Sequence, residues 1–204
     1  MRIVKIKNSK HVQERVLVYL EEGDPLRITS HELLQFGLYQ GMDLSPAVVV
    51  QLQASGKRSE SRVKAARLAS GRMLSRKELM DRLNRKGIDL DTAEETADWL
   101  EELGAVDDAA YAGVIARHYG GSYGPGRVRQ ELQKRGIPRE LWDDALAQLP
   151  DSAGTIDAFL QSKLKGKAPD RTTLKKLSDT LLRRGFSWQD IRPALNRLGE
   201  EIDE

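Results

Sequence analysis

The same helix ending occurs three times in this 204-residue chain, at a constant interval of 49 residues. Each copy places two basic residues before a glycine and an apolar residue after it, and the glycines are Gly87, Gly136 and Gly185. A glycine just past the last helical residue commonly takes the left-handed conformation that ends a helix. A pattern with this period is typical of a helical repeat protein, so three copies of one helical unit are expected.

Apolar residues keep one register around each glycine, at eight and four residues before it and one residue after it. These positions are Leu79, Leu83 and Ile88, then Val128, Leu132 and Ile137, then Leu177, Leu181 and Phe186. A spacing of four residues places side chains on one helix face. One helix is therefore predicted before each repeat glycine and one after it. A further helix is predicted before each of these pairs of helices, at residues 61–70, 109–119 and 156–164. Each unit is therefore expected to contain three helices.

The first 45 residues follow a different pattern. Residues 2–7 alternate between charged and apolar types, residues 15–20 are β-branched and apolar, and residues 26–28 could form a third short strand. Thr29–Glu32 fits a capping box that opens a short helix, which the sequence would end at Gly41. A small β-hairpin unit with one helix packed on it is predicted.

The predicted fold is mainly α, with three tandem three-helix repeats forming an elongated array behind a small N-terminal β-hairpin-plus-helix unit. The predicted domains are residues 1–56 for the β unit, 57–105 for repeat 1, 106–150 for repeat 2, and 151–204 for repeat 3 with an acidic tail from Gly199. Further capping boxes are predicted at Ser75–Glu78 and Thr92–Glu95, with a weaker version at Ser187–Asp190.

Aromatic residues are scarce, so Trp99, Trp142 and Trp188, which follow the repeat glycines, are predicted to anchor the cores. The segment GGSYGPGR, residues 120–127, resembles a phosphate-binding loop. It lacks the Lys-Ser/Thr pair of a P-loop and follows a helix, so it is interpreted as a flexible connector.

Composition narrows the class of protein. The chain has no cysteine, which excludes disulfides, thiolate catalysis and cysteine metal sites. Its three histidines show no ligand spacing, so neither a metal nor another cofactor is expected. No serine or carboxylate group stands in a recognisable catalytic frame, and a protein that is not an enzyme is predicted. Neither a signal peptide nor a membrane helix is predicted, and the cytosol is the expected compartment.

The formal net charge of +2 conceals strong segregation. Residues 57–86 contain eleven Lys or Arg, residues 89–116 contain nine acids and no base, and residues 161–197 contain ten bases. Blocks of this kind suit a polyanion or a charged protein surface, although each could simply be a solvated helix face.

The basic residues at the two ends of the second helix of each repeat are the candidate partner-binding residues. They are Arg76, Lys77, Arg85, Lys86, Arg127, Arg129, Lys134, Arg135, Lys175, Lys176, Arg183 and Arg184. One interpretation is local, because cations in the last turn stabilise the negative end of the helix dipole. The other is that equivalent positions line up as one basic ridge. Both can hold together.

Four segments of the chain form a specific pattern: SRKELMDRLNRKGI (residues 75–88), DDAAYA (107–112), GPGRVRQELQKRGIP (124–138) and WDDALAQL (142–149). These segments resemble the RecX family, the regulators of the bacterial RecA recombinase. The resemblance covers residues 60–150 well and the third repeat more loosely. The helix SRVKAARLASGRM lacks an aromatic residue expected in the family, and the connector is unusually rich in glycine.

The resemblance implies a monomeric, non-enzymatic protein that binds the RecA filament on single-stranded DNA and modulates its ATPase and strand exchange during DNA repair and the SOS response. Inhibition is the expected direction, and single-stranded DNA is expected to bind weakly or through the filament. A second hypothesis is a helical protein that contacts DNA phosphates directly through the basic ridge. A structural adaptor with another partner is the third.

Overall fold

The computed structural model describes residues 1–10 and 14–200, with side chains as far as residue 198. Its helices and single small sheet confirm the predicted mainly α class. The chain forms two compact units: Met1–Arg72 with Leu79–Ala105, and Met73–Glu78 with the chain from Val106 onward. The predicted acidic tail from Gly199 lies outside the residues whose side chains are described.

The N-terminal sheet confirms the three predicted strands. Strands β1 (Ile3–Asn8), β2 (Arg15–Leu20) and β3 (Leu26–Thr29) pair antiparallel in chain order. Successive side chains of a strand point to opposite faces, so one face carries the apolar residues. The buried residues of that face are Ile3, Val16, Val18, Leu20, Leu26 and Ile28.

Helix α1 (Ser30–Gln35) begins as the sequence predicts and ends earlier. The Glu32 N–H donates to Thr29 Oγ1 at 3.2 Å, and the Thr29 N–H donates to Glu32 Oε2 at 2.7 Å, which confirms the capping box. The predicted end at Gly41 is wrong. Gly37 already takes a left-handed φ of +59°, which stops the helix.

Helix α2 (Pro46–Gly71) connects the β unit to the first repeat without a break. Ser45 caps this helix. The predicted domain boundary between residues 56 and 57 lies inside the helix. Gly56 lets the helix touch β3, since a Cβ at Gly56 would lie 2.1 Å from the Arg27 carbonyl oxygen. This contact requires glycine because a side chain would overlap the strand backbone.

A buried carboxylate joins α1 to α2. Glu32 is 4% exposed, and its Oε1 accepts hydrogen bonds from the Ser55 and Ser59 hydroxyls of α2, the second at 2.9 Å. Burial alone would raise the pKa of Glu32, but the hydrogen bonds from Ser55, Thr29 and Ser59 outweigh burial and lower it. The carboxylate is therefore held in its charged form.

Eight further helices, together with the C-terminal half of α2, form the three three-helix repeats. They are α3 (Arg76–Arg85), α4 (Leu90–Glu102), α5 (Asp108–Gly120), α6 (Pro125–Lys134), α7 (Trp142–Leu146, after a 3₁₀ turn at Arg139–Leu141), α8 (Ser152–Leu164), α9 (Arg171–Arg183) and α10 (Trp188–Glu200). The nine apolar positions at the predicted register are all buried. This confirms the predicted core face of each repeat.

Two of the three further capping boxes are confirmed. Reciprocal hydrogen bonds link the ends of Ser75–Glu78 and of Ser187–Asp190. The box at Thr92–Glu95 is wrong, because α4 begins at Leu90. The Asp89 carboxylate, three residues before Thr92, accepts the Thr92 N–H at 3.0 Å and caps the helix instead.

The tryptophans differ in their environment. Trp99 is half-buried, and Trp142 packs against the buried cluster of the second repeat as predicted. Trp188 is 52% exposed, so its prediction as a core anchor is wrong. It is the first residue of α10, and the core of the third repeat takes Phe186 and Ile191 from this turn.

Gly56→Ala is expected to destabilise the protein by about 1–3 kcal/mol, because the new methyl group overlaps the β3 backbone. Without that overlap, the change would stabilise a helix by about 1 kcal/mol. Gly71→Ala is the matched control, since a Cβ at Gly71 meets no described atom within 4 Å. Urea unfolding measures both variants. Equal stabilities for the two variants would contradict the close contact.

The lowered pKa of Glu32 predicts a stability that depends on pH. The ionised Glu32 carboxylate contributes fully to the free energy of unfolding above the unfolded-state pKa, which is about 4.3 for glutamate. This contribution is lost as pH falls through the lower folded-state pKa. Glu32→Gln should therefore be less stable than the unchanged protein at pH 6, and the difference should shrink towards pH 3. A difference that stays constant over this range would refute the assignment.

Candidate partner-binding surface

The three basic turns share one backbone geometry. Gly87, Gly136 and Gly185 have φ values of +79°, +69° and +85°. In each turn the glycine N–H donates to the carbonyl three residues earlier at 2.8–3.0 Å, and the next N–H donates to the carbonyl of the preceding leucine at 3.0–3.2 Å. This is the Schellman motif, in which an apolar residue of the last helical turn packs against the residue after the glycine. The buried residues at these two positions are Leu83 with Ile88, Leu132 with Ile137, and Leu181 with Phe186.

The turn at Gly136 lies against the N-terminus of α3, within the second unit. The Ser75 hydroxyl donates to the Arg135 carbonyl. A Cβ at Gly136 would lie 2.1 Å from Cδ of Lys77. We call this contact the first junction.

The turn at Gly185 makes a corresponding contact with the N-terminus of α6, which we call the second junction. The Gly124 N–H donates to the Arg184 carbonyl at 3.0 Å, and the Gly126 N–H donates to the Gly185 carbonyl at 2.9 Å. A Cβ at Gly185 would lie 2.3 Å from the Arg127 backbone nitrogen. The two backbones therefore meet directly.

The two junctions use equivalent positions of the repeat. The donors Ser75 and Gly124 are 49 residues apart, and so are Arg135 and Arg184, whose carbonyls accept these hydrogen bonds. A hydroxyl serves as donor at the first junction and a backbone N–H at the second. The turn at Gly87 differs, because a Cβ there would meet no described atom within 4 Å.

The glycine-rich segment 120–127 is largely part of this contact. Helix α5 extends to Gly120 and α6 begins at Pro125, which leaves a connector of four residues. A Cβ at Gly124 would lie 2.5 Å from the Gly185 carbonyl oxygen. The interpretation of this segment as a flexible connector omitted the packing role of its glycines.

Arg135, the second residue of its basic pair, points into the first junction. Its Nη1 donates to the Tyr111 hydroxyl at 2.6 Å and lies 3.6 Å from Glu78 Oε1, while Nη2 lies 4.0 Å from Glu131 Oε2. Burial alone would lower the pKa of the guanidinium, but Tyr111 and Glu78 outweigh it and raise the pKa. Arg135 therefore stabilises the junction.

Arg184 takes the equivalent position at the second junction with different partners. Its guanidinium lies 4.4 Å from the ring centre of Phe159 and 5.8 Å from that of Tyr123. Its Nη1 donates to the Ser122 carbonyl at 3.3 Å. The Arg135 guanidinium also lies 5.5 Å from the ring centre of Tyr111, and it has the carboxylates of Glu78 and Glu131 as further neighbours. Each junction therefore uses its arginine internally.

Exposure divides the twelve predicted partner-binding residues into two groups. Eight are exposed: Lys77, Arg85, Lys86, Arg129, Lys134, Lys175, Lys176 and Arg183. Four are half-buried: Arg76, Arg127, Arg135 and Arg184. In the second and third repeats the first residue of each basic pair faces solvent, and the second residue faces the junction.

The structure brings some of these residues together. The first junction places Arg76 and Lys77 beside Lys134 and Arg135, and the second places Arg127 beside Arg183 and Arg184. The two groups lie at opposite ends of α6, about 10 Å apart at a rise of 1.5 Å per residue. Lys175 and Lys176 lie in the N-terminal half of α9, and Arg85 and Lys86 belong to the first unit. A single continuous ridge stays a prediction.

The described residues include no group of three or more His, Asp or Glu side chains placed to hold a metal ion. A cleft of about 420 Å³ lies beside α8 and α10, with the Asp157–Arg197 ion pair at 2.7 Å among its lining residues. None of the helices that the structure describes is long and apolar enough to cross a membrane.

Repeating three-helix units with basic turns define a protein of the helical repeat class. The family model for the first three-helix domain of RecX matches residues 62–100, and the model for the second matches residues 107–146. A regulatory protein RecX from Lactobacillus delbrueckii subsp. bulgaricus is 32% identical over all of this chain and 78% of its own length. One from Bacillus licheniformis is 29% identical, over 99% of this chain and 79% of its own. The chain belongs to the RecX family.

Solved structures have the same fold. One, a crystal structure of regulatory protein RecX, superposes with a TM-score of 0.72 at 23% identity, over 94% of this chain and 97% of the other. The crystal structure of RecX from Lactobacillus salivarius gives a TM-score of 0.64 at 25% identity, over 70% of this chain and 97% of the other. The predicted family is confirmed.

The junctions predict different costs for the same substitution at two repeat glycines. Gly87→Ala should lower the free energy of unfolding by about 1–2 kcal/mol, because a positive φ is unfavourable for alanine. Gly185→Ala should cost that amount and about 1–3 kcal/mol more, because its methyl group also overlaps the Arg127 backbone. Urea unfolding measures the total, and hydrogen exchange identifies the unit that opens. Equal costs at both glycines would contradict a close-packed second junction.

Proposed function

We propose that this protein is a non-enzymatic regulator that binds the RecA filament on single-stranded DNA in the bacterial cytosol. It inhibits the ATPase and strand exchange of the filament during DNA repair. Membership of a family of regulatory proteins supports a regulatory role. The observation that carries the binding proposal is the exposure of the leading cation of every basic pair, Arg85, Lys134 and Arg183.

The junctions give these cations a fixed spacing in the second unit. Lys134 and Arg183 each precede an arginine that is held inside a junction, so their backbone positions are set by packing. A preorganised cation contributes more to binding than a mobile one, because less conformational entropy is lost. Exposed cations of this kind suit carboxylates on a protein filament or phosphates on its DNA.

Reversing the three leading cations should abolish regulation without unfolding the chain. The variant carries Arg85→Glu, Lys134→Glu and Arg183→Glu, and we expect inhibition of DNA-dependent ATP hydrolysis by RecA of the same organism to fall at least tenfold. Each exposed last-turn charge contributes only about 0.3–1 kcal/mol to stability. Circular dichroism should therefore show a folded protein.

The matched control reverses three exposed lysines outside the basic turns, Lys57, Lys163 and Lys167, with the same change in net charge. It should inhibit RecA as the unchanged protein does. Equal inhibition by both variants, or equal loss in both, would refute a role for the leading cations.

The second candidate function is direct contact of the same cations with DNA phosphates. The exposure of eight of the twelve candidate cations favours it. Affinity for bare DNA at physiological salt would then fall with salt in proportion to the number of phosphate contacts. If the unchanged protein inhibits RecA and the three leading cations do not affect its affinity for bare DNA, this candidate fails.

A further inference from the structure

The face of the N-terminal sheet opposite the hydrophobic core carries cations beside exposed apolar side chains. Strand register places Lys5 across from Tyr19, and Lys7 across from Leu17. Arg27 lies across from Leu17 on its other side. These five residues share one face, because their neighbours Val16, Val18, Leu26 and Ile28 are buried on the other. We call them the outer sheet face.

The cations of the outer sheet face are available for a ligand. Lys5, Lys7 and Arg27 are exposed, and in the described part of the chain none of them lies within 4 Å of a carboxylate in an ion pair. Arg15, the remaining cation on this side of β2, is instead held 3.4 Å from Glu60 of α2. Arg27 lies close enough to Glu60 for its charge to help lower the pKa of that carboxyl, although no ion pair within 4 Å joins them. The exposed cations occupy both edge strands, so positive charge borders the central strand on each side.

The central strand supplies the apolar surface between these charges. Tyr19 and Leu17 are partly exposed, although β-sheet neighbours flank both. Residues two apart on a strand are about 6.7 Å apart and neighbouring strands about 4.8 Å apart, so the face is a compact platform. Among the described residues Tyr19 makes no ring contact with another aromatic residue.

We propose that the outer sheet face binds single-stranded nucleic acid, with a base stacked on Tyr19 and phosphates on Lys5, Lys7 and Arg27. A single strand combines planar apolar groups with closely spaced anions, and aromatic side chains bordered by cations bind it without reading sequence. An acidic protein surface would satisfy the cations but would leave the Tyr19 ring without a planar partner. This binding is independent of the proposed function, because it requires no recombinase.

The test measures binding of the full-length protein to a fluorescein-labelled oligo-dT of about 30 nucleotides by anisotropy, over a series of salt concentrations. Lys5→Gln with Lys7→Gln should weaken binding and reduce the slope of log affinity against log salt by about 1.4, since each single-strand contact contributes about 0.7. Tyr19→Ala should weaken binding about tenfold, and Tyr19→Phe should restore it.

The matched control, Lys163→Gln with Lys167→Gln, removes two exposed lysines of the third repeat and should leave affinity and slope unchanged. The lysine variant alters only exposed side chains of an edge strand, so it stays informative if Tyr19→Ala fails to fold. An unchanged affinity and slope in the lysine variant would overturn the proposal. So would Tyr19→Ala binding as tightly as the unchanged protein, because the contact would then be electrostatic only.

Inhibition of RecA, measured with the same variants, separates this inference from the proposed function. Loss of oligo-dT binding with full inhibition supports the outer sheet face as a separate site. Loss of inhibition without any binding of bare oligo-dT by the unchanged protein would assign the face to an acidic protein surface and overturn the nucleic-acid proposal.

Discussion

The architecture of the second unit depends on backbone contact at a glycine with positive φ. At Gly185 one residue ends a helix and also lets its carbonyl accept the Gly126 N–H of the preceding repeat. Both tasks exclude a side chain, one for conformational and the other for steric reasons. Gly124 of the connector and Gly126 of α6 complete the contact from the other side. The second and third repeats are therefore in direct backbone contact at these glycines.

This packing gives the two residues of the second and third basic pairs different roles. Arg135 and Arg184 are used inside the junctions, one by carboxylates and a tyrosine hydroxyl, the other by two aromatic rings. Lys134 and Arg183, one residue earlier, point to solvent. The local structural role that the sequence allows is therefore found at Arg135 and Arg184, and the proposed partner-binding role is left to the exposed Lys134 and Arg183. The first repeat keeps both Arg85 and Lys86 exposed.

The first unit is held together by a different device. Gly56 brings α2 against the backbone of β3, and the buried Glu32 carboxylate receives two hydroxyls from the same helix. The first half of this continuous helix therefore packs on the sheet, and its second half is the first helix of the first repeat. Because α2 covers one face of the sheet, the cations Lys5, Lys7 and Arg27 stay exposed beside Tyr19 on the other.

The sequence by itself determined the class, the three repeats, the strands and the buried register. Those features follow from local rules, such as glycine at the helix end and apolar residues every four positions. The sequence pattern wrongly predicted Trp188 in a core and a capping box at Thr92. Local patterns do not reveal which of several nearby residues the folded protein uses in its core or as a helix cap. Only the tertiary structure decided which residues of the basic pairs are exposed. That choice depends on residues 60 positions earlier in the chain, Ser75 for Arg135 and Gly124 for Arg184. Their contact with the turns in space has no local signature in the sequence.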